Sequence, residues 1–250
     1  MNHLAAYYQL FNPDGVLVNV DAVQDTSVFT SGKDIRVPLP LPTIIGEVAM
    51  TGAANLIGSQ VQSPSLRTIA NIDVEPVVDS ILFGDPPEAM MHPMNPIPVT
   101  GDEAVNFAIN SDDGGNRSHY GFIWFADGAQ ATVNGEIYSI TATANATLVH
   151  GVWVNSNLTF NQVLPVGNYQ VVGMRARGTN LVAARLVFVG GTWRPGVPAV
   201  NSIADLDAKH FRYGRMGVLG EFHTNTPPTL DCIGATDTAQ TITLDVIRVG

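Results

Sequence analysis

Six histidines are spread along the chain, at His3, His92, His119, His150, His210 and His223. A metal centre needs two or three imidazole or carboxylate donors delivered to one point. Sequences usually supply them as i, i+2 or i, i+4 pairs. No two of these histidines have that spacing, so they read as isolated surface residues or hydrogen-bonded core residues. Asp112-Asp113-Gly114-Gly115-Asn116 is rich in hard oxygen ligands of the kind calcium prefers, but the same residues make any tight turn. Asp205, Asp207 and His210 form a small acidic group that reads as the capped, solvated start of a short helix. Gly214, Gly217 and Gly220 recur every three residues, which is not the spacing of a phosphate-cradling loop. They read as bulges or close backbone contacts.

Nucleophile-elbow, P-loop, dinucleotide and zincin signatures are absent from the sequence. Trp124, Trp153 and Trp193, with Tyr7, Tyr8 and Tyr213, have the types of a sugar-stacking platform, and equally of core or interface anchors. Arg175 and Arg177 lie on one face of a predicted strand, opposite its apolar face. There they serve as a surface pair or as ligands for a carboxylate on a neighbouring subunit. No catalytic, cofactor-binding or metal-ligating residue is assigned, and the chain is not expected to be an enzyme.

The elements that position these residues are strands. Gly (24) and Pro (16) are frequent, only two residues are Lys, and Val, Ile and Thr are abundant. That balance suits pleated surfaces joined by tight turns. Tyr7–Phe11 and Val16–Val20 flank Asn12-Pro13-Asp14-Gly15 and predict a hairpin. Ile35–Leu39 and Ile44–Met50 are interrupted by Pro38, Pro40 and Pro42, as in an edge strand or a crossing segment. Gly52–Gln60 reads as a short helix or loop, and Arg67–Val74 and Val77–Phe83 as strands. Val105, Phe107 and Ile109 alternate with smaller residues. Tyr120–Ala126 is apolar on both faces, as in a central or interface strand. Asn134-Gly135 predicts a hairpin leading into Tyr138, Ile140 and Ala142. Tyr169–Arg177 and Leu181–Val189 flank Gly178-Thr179-Asn180 as a second hairpin. Thr241–Val249 is the last strand, and Ser202–His210 is the best candidate for a helix. Short strands with regular turn punctuation predict an all-β sandwich or barrel.

Gly84–Pro98 holds five prolines and three methionines and reads as a linker without regular structure. Residues 1–100 carry ten acids and three bases, and residues 101–250 carry twelve and nine. The composition changes at the proline-rich stretch. Two domains are therefore expected, residues 1–98 and residues 99–250.

Charge narrows the function. Only 14% of residues are charged, against about 25% in an ordinary soluble domain. Such a surface is expected to be covered by copies of the same chain. The net charge of -10 and the lack of a basic arm argue against direct binding of nucleic acid, which requires cations to displace counterions. The single cysteine, Cys232, rules out an intrachain disulfide framework and points to folding in a reducing compartment. The opening MNHLAAYYQLFNPDG does not read as a secretory leader. The sequons at Asn116, Asn145 and Asn157 therefore read as chance matches.

Three stretches carry a resemblance. Pro96–Ile109 looks like a domain-opening strand after a crossover, and Gly121–Gly128 like a buried strand ending in a turn. Gly220–Thr229 followed by Thr241–Val249 looks like the closing strands of a fold. With the pattern of the whole chain, they resemble the double-jelly-roll major capsid proteins of membrane-containing icosahedral phages. That resemblance implies two eight-stranded jelly-roll sandwiches and a trimeric capsomer. It also implies other virion proteins as partners, with an inner membrane beneath the shell. The chain would fold in the host cytoplasm and reside in the virion. The departure is length, since 98 residues are few for a complete jelly roll. Two other classes are a β-sandwich binding module (receptor-binding, decoration or glycan-binding) and a β-sandwich or β-barrel hydrolase or metal enzyme whose scattered His and Asp converge in space.

Overall fold

A computed structural model describes residues 2–11, 18–25, 27–51, 56–68, 71–74, 76–77, 90–111, 118–128, 132–200 and 211–249. The chain is all-β. Its contacts divide it into an N-terminal unit, Ala5–Gly128, and a C-terminal unit, Ala129–Gly250 with Met1–Leu4.

The N-terminal unit begins with β1 (His3–Phe11), β2 (Val18–Asn19), β3 (Asp21–Ala22), β4 (Thr30–Ser31), β5 (Asp34–Arg36), β6 (Thr43–Thr51) and β7 (Leu56–Gln62). It continues with β8 (Ile72–Val74), β9 (Pro76–Val77), β10 (Met90–Met91), β11 (Ile97–Pro98), β12 (Ala104–Ser111) and β13 (Ser118–Ala126). One sheet runs β3-β1-β13-β6, with β9, β10 and β11 all on the outer edge of β6. The other runs β4-β5-β12-β7-β8, with β2 also on β12.

Eight principal strands can be counted in chain order as β1, β5, β6, β7, β8, β10 with β11, β12 and β13. The sheets then read 1-8-3-6 and 2-7-4-5, which is the strand order of a jelly roll. The two sheets meet through Phe107, whose ring lies 5.7 Å from that of Tyr8. Tyr8 also donates its hydroxyl to the carbonyl of Val105, 97 residues away.

The C-terminal unit contains β14 (Tyr138–Ala144), β15 (Val154–Asn157), β16 (Thr159–Phe160), β17 (Asn168–Arg177) and β18 (Leu181–Val187). It ends with β19 (Gly196–Val200), β20 (Gly220–His223), β21 (Thr229–Gly234) and β22 (Gln240–Arg248). Leaving out the short β16, the same count gives β14-β22-β17-β20 and β15-β21-β18-β19, again 1-8-3-6 and 2-7-4-5. A parallel contact of β17 with β19 joins the two into one curled sheet.

The curl is visible in its rings. Laid flat, β16 and β20 would stand four strand spacings apart, about 19 Å. Instead the rings of Phe160 and Phe222 are 6.0 Å apart. Ile140, Ala142, Met174, Ala176, Ala184, Leu186, Leu230, Cys232, Ile242 and Leu244 line the buried inner face.

Several expectations need correction. The boundary lies at residue 128 rather than 98. The two strands that follow the proline-rich stretch, β12 and β13, are the seventh and eighth of the first roll. They pair with β5, β7 and β6. That return explains why 98 residues looked too few. The proline-rich stretch also keeps two short pieces of strand, β10 and β11. Leu56–Gln62 is a strand rather than a helix or loop.

The turn at Gly178–Asn180 does not make a hairpin, because β19 inserts between β17 and β18. Val18–Asn19 pairs with β12, while β1 takes β3. The bend at Gly135 precedes β14, and the described residues just before it, 132–134, are not strand. Asn12–Gly15, Val78–Phe83, Asp112–Asn116 and Ser202–His210 lie outside the described residues. Tyr120–Ala126 is central as expected, flanked by β6 and β1 and buried throughout.

The inter-sheet approach in the N-terminal unit is tight at Gly121. A Cβ there would sit 2.6 Å from the Phe107 ring, whereas one at Gly58 meets nothing within 4 Å. Gly121→Ala is expected to cost about 1–3 kcal/mol in urea denaturation. Gly58→Ala should stay within about 0.5 kcal/mol of the parent.

Candidate functional site

Polar side chains of the C-terminal unit gather on the outer face of its curled sheet, because strand register places them in one row. Asn155, Asp231, Arg185 and Gly196 are consecutive partners across β15, β21, β18 and β19. Ser139, Asp245 and Gly173 are consecutive partners across β14, β22 and β17. The two glycines fall at the same level, each three residues before the Ala176–Ala199 pair. The row therefore holds two charged centres with glycines between them.

In the first centre the Asp231 carboxylate accepts from Arg185 Nε at 3.2 Å and Nη2 at 3.1 Å, and from Arg194 Nη1 at 2.9 Å. Asn155 Nδ2 donates to its other oxygen at 2.8 Å. The Arg185 guanidinium lies 4.0 Å from the centre of the Trp153 ring, a cation–π contact. Arg185 is fully buried.

In the second centre Arg212 grips Asp245 with both ends of its fork, Nε at 2.7 Å and Nη2 at 2.8 Å. Ser139 Oγ donates to Asp245 at 2.7 Å and the Tyr213 amide donates at 2.9 Å. A side chain at Gly173 would strike the Asp245 carboxylate and the Arg212–Tyr213 backbone. Glycine at this position lets that segment lie flat on the sheet.

These four donors decide the protonation of Asp245. Burial pushes its pKa up, but the bonds from Arg212, Ser139 and the Tyr213 amide more than reverse that and hold it below the ordinary range. Arg212 is raised in turn, chiefly by its hydrogen bond to Asp245 and despite burial. An aspartate held ionised in this way is a clamp and cannot shuttle protons near neutral pH. Cys232, the lone thiol, is pushed up by burial and by the nearby carboxylates of Asp231 and Asp237, which leaves it unreactive.

The N-terminal unit holds one further pair. His92 Nε2 lies 2.9 Å from Glu47 Oε2, and the side chains are 22% and 1% exposed.

Among the described residues, the other candidates do not gather into one site. Among the described residues no group of three His, Cys, Asp or Glu side chains can hold a metal ion. Trp124, Tyr7 and Tyr8 are core residues. The Tyr7 ring is tilted against Phe122 at 4.6 Å, and Phe122 stacks on Trp124 at 5.9 Å. Trp153 sits under Arg185, and Tyr213 is exposed against Arg212. With three of its six members withdrawn into the core, the full aromatic platform is not assembled. Arg175 and Arg177 lie on the outer face of β17, as expected. Gly214 and Gly217 occupy left-handed turn positions, and Gly220 opens β20 against the Phe188 ring.

Sequence reasoning missed Arg185, Asp231, Arg212, Asp245 and the Glu47–His92 pair as partners. The available signal was a lone charge within an apolar strand, as in Thr229–Gly234 or Thr43–Thr51.

No protein-family model and no curated protein matches this chain. Among solved structures, a xanthan lyase from Paenibacillus aligns with 96% of this chain and 25% of its own at 12% identity and a TM-score of 0.26. The chain spans about a quarter of that lyase's length. Similarity at this level carries no argument.

Asp245→Asn keeps the shape and removes the charge. It is expected to cost about 2–3 kcal/mol at neutral pH, the range for a charged, largely buried hydrogen-bonded pair. Because the folded pKa is depressed, the wild-type advantage is full above the ordinary value of 3.8. It is lost as pH falls through the lower folded value. Urea melts of both proteins from neutral pH into acid check this, and the gap should close with acidity.

Proposed function

We propose that the chain is a structural protein of a virion shell, without enzymatic activity, that assembles with copies of itself as trimers and then as a closed icosahedral surface. One observation carries this reading. The same eight-strand wrap, 1-8-3-6 over 2-7-4-5, occurs twice in one chain of 250 residues. Tandem jelly rolls are the architecture that the resemblance to double-jelly-roll coat proteins implies.

Two further features support it. Arg185, Arg194 and Arg212 are engaged with carboxylates of their own unit rather than spread over a solvated surface. At the end of the C-terminal unit where β17 begins and β18 ends, valines stand in water. Val163 is 97% exposed, Val189 76% and Val166 70%. Apolar side chains grouped in this way favour association with a second copy. In this reading the acidic shell does not hold nucleic acid directly, its partners are other virion proteins, and a membrane lies beneath it.

Light scattering and electron microscopy of the purified chain test the proposal. Trimers or larger closed particles are the expected result. The triple variant V163D/V166D/V189D should shift the population toward monomers with an unchanged far-ultraviolet circular dichroism spectrum. A wild-type chain that stays monomeric at high concentration overturns the reading. A specific hit on a glycan array would transfer it to the binding-module class.

A further inference from the structure

We propose that the contact between His92 and Glu47 is a pH-operated latch on the sixth strand of the N-terminal roll. With the imidazole charged, the segment from Met90 to Val99 is seated on β6. With it neutral, the segment lets go.

The segment is weakly built. Its strand content is two pieces of two residues each, Met90–Met91 opposite Glu47 and Gly46, and Ile97–Pro98 opposite Ile44 and Thr43. Pro93, Pro96 and Pro98 contribute no amide donors. Beyond those rungs, His92 N bonds the Ile45 carbonyl at 2.8 Å and Val99 N bonds the Pro42 carbonyl at 3.0 Å. The equivalent strand of the C-terminal roll, β20, has four consecutive rungs. The side-chain contact of His92 therefore matters more here than one such bond would in a full ladder.

The partner of His92 is unusual. Glu47 sits in mid-strand, opposite Ile123 of β13, on the face shared by Gly121 and packed toward Phe107. Its carboxylate is buried, and among the described residues His92 is its one side-chain partner. A buried carboxylate is stable when countered by a charge and costly when it is not.

Among the described residues, nothing else packed on β6 offers that charge. Of its neighbours, β13 carries His119 on the same face, four residues along from Ile123, and Tyr120 on the opposite face. On β8, Asp73 is exposed and takes Gln60. No titratable residue occurs in β7, β9, β10 or β11. His92 itself is partly open to water.

The titration runs in the direction a latch requires. Burial alone would lower the imidazole pKa. The hydrogen bond and charge of Glu47, helped by the backbone carbonyls of Asn95 and His92, more than reverse it, and the pKa ends above its ordinary 6.5. A raised folded pKa means that the stabilisation is complete below 6.5 and disappears as pH climbs through the raised value. Release would bare the outer edge of β6 from Thr43 to Glu47, a row of unpaired amides and carbonyls. The latch belongs to one roll and does not depend on whether copies assemble.

Hydrogen exchange of the full chain, read by mass spectrometry at about pH 6 and about pH 8.5 and corrected for intrinsic rate, tests this. The expected result is severalfold faster corrected exchange in residues 90–99 at the higher pH, because the stabilisation by the charged imidazole is lost there. β12 and β13 should be unchanged. H92Q, a neutral donor, should exchange fast at both values. E47Q, with no buried charge to counter, should stay protected at both. Equal protection of the wild-type segment at the two pH values overturns the proposal without need of any variant. So does a pH dependence that survives in H92Q or in E47Q.

Discussion

In each roll the last strand lies between the first and the third. β13 pairs with β6 and lies beside β1, and β22 pairs with β14 and with β17. This placement is what makes each unit a closed wrap rather than a row of hairpins. It explains why β13 is apolar on both faces, since a strand flanked on both edges and covered on both sides has no surface left for water. It also brings Asp245, on the closing strand β22, to the place where Arg212 can grip it. The same placement moves the boundary between the units to residue 128, because a roll is complete only when its eighth strand has returned.

Charge is used sparingly and locally. Asp231 collects two arginines and an asparagine, and Asp245 collects a bidentate arginine, a serine and an amide. Both carboxylates sit in a row of the sheet with every described hydrogen bond going to their own unit. Such centres fasten loops to strands. Arg194 ties the connection between β18 and β19, and Arg212 with Tyr213 ties the segment before β20. In the proposed shell, loops fastened in this way would present the same surface in every copy.

What was legible in the sequence followed from periodicity. Val105, Phe107 and Ile109 alternate, Tyr120–Ala126 does not, and both patterns predicted the burial that the structure has. Ile242, Leu244 and Val246 likewise face inward. Connectivity was not legible, because turn residues report only that the chain reverses. Gly178-Thr179-Asn180 does reverse it, yet β19, which inserts between the two strands, arrives from later in the sequence. Partnerships of single charges were hidden for the same reason. Glu47 and His92 are 45 residues apart, and Arg185 and Asp231 are 46. Only the register of strands distant in sequence brings them together. The proline-rich stretch misled because it looks like a linker while also serving as a sheet edge.

The wrap also sets a timetable. β1 ends at Phe11 and its neighbour β13 begins at Ser118. A ribosome adding about 5–20 residues per second takes about 5–20 s to supply the missing strand. Non-local sheets also close slowly, over milliseconds to seconds, because loop entropy is lost before the contacts form. Throughout that interval the tyrosine-bearing strand His3–Phe11 has an open side. A nascent chain that waits in this state is exposed to pairing with the same strand of its neighbours, so its yield will fall with the density of chains under synthesis.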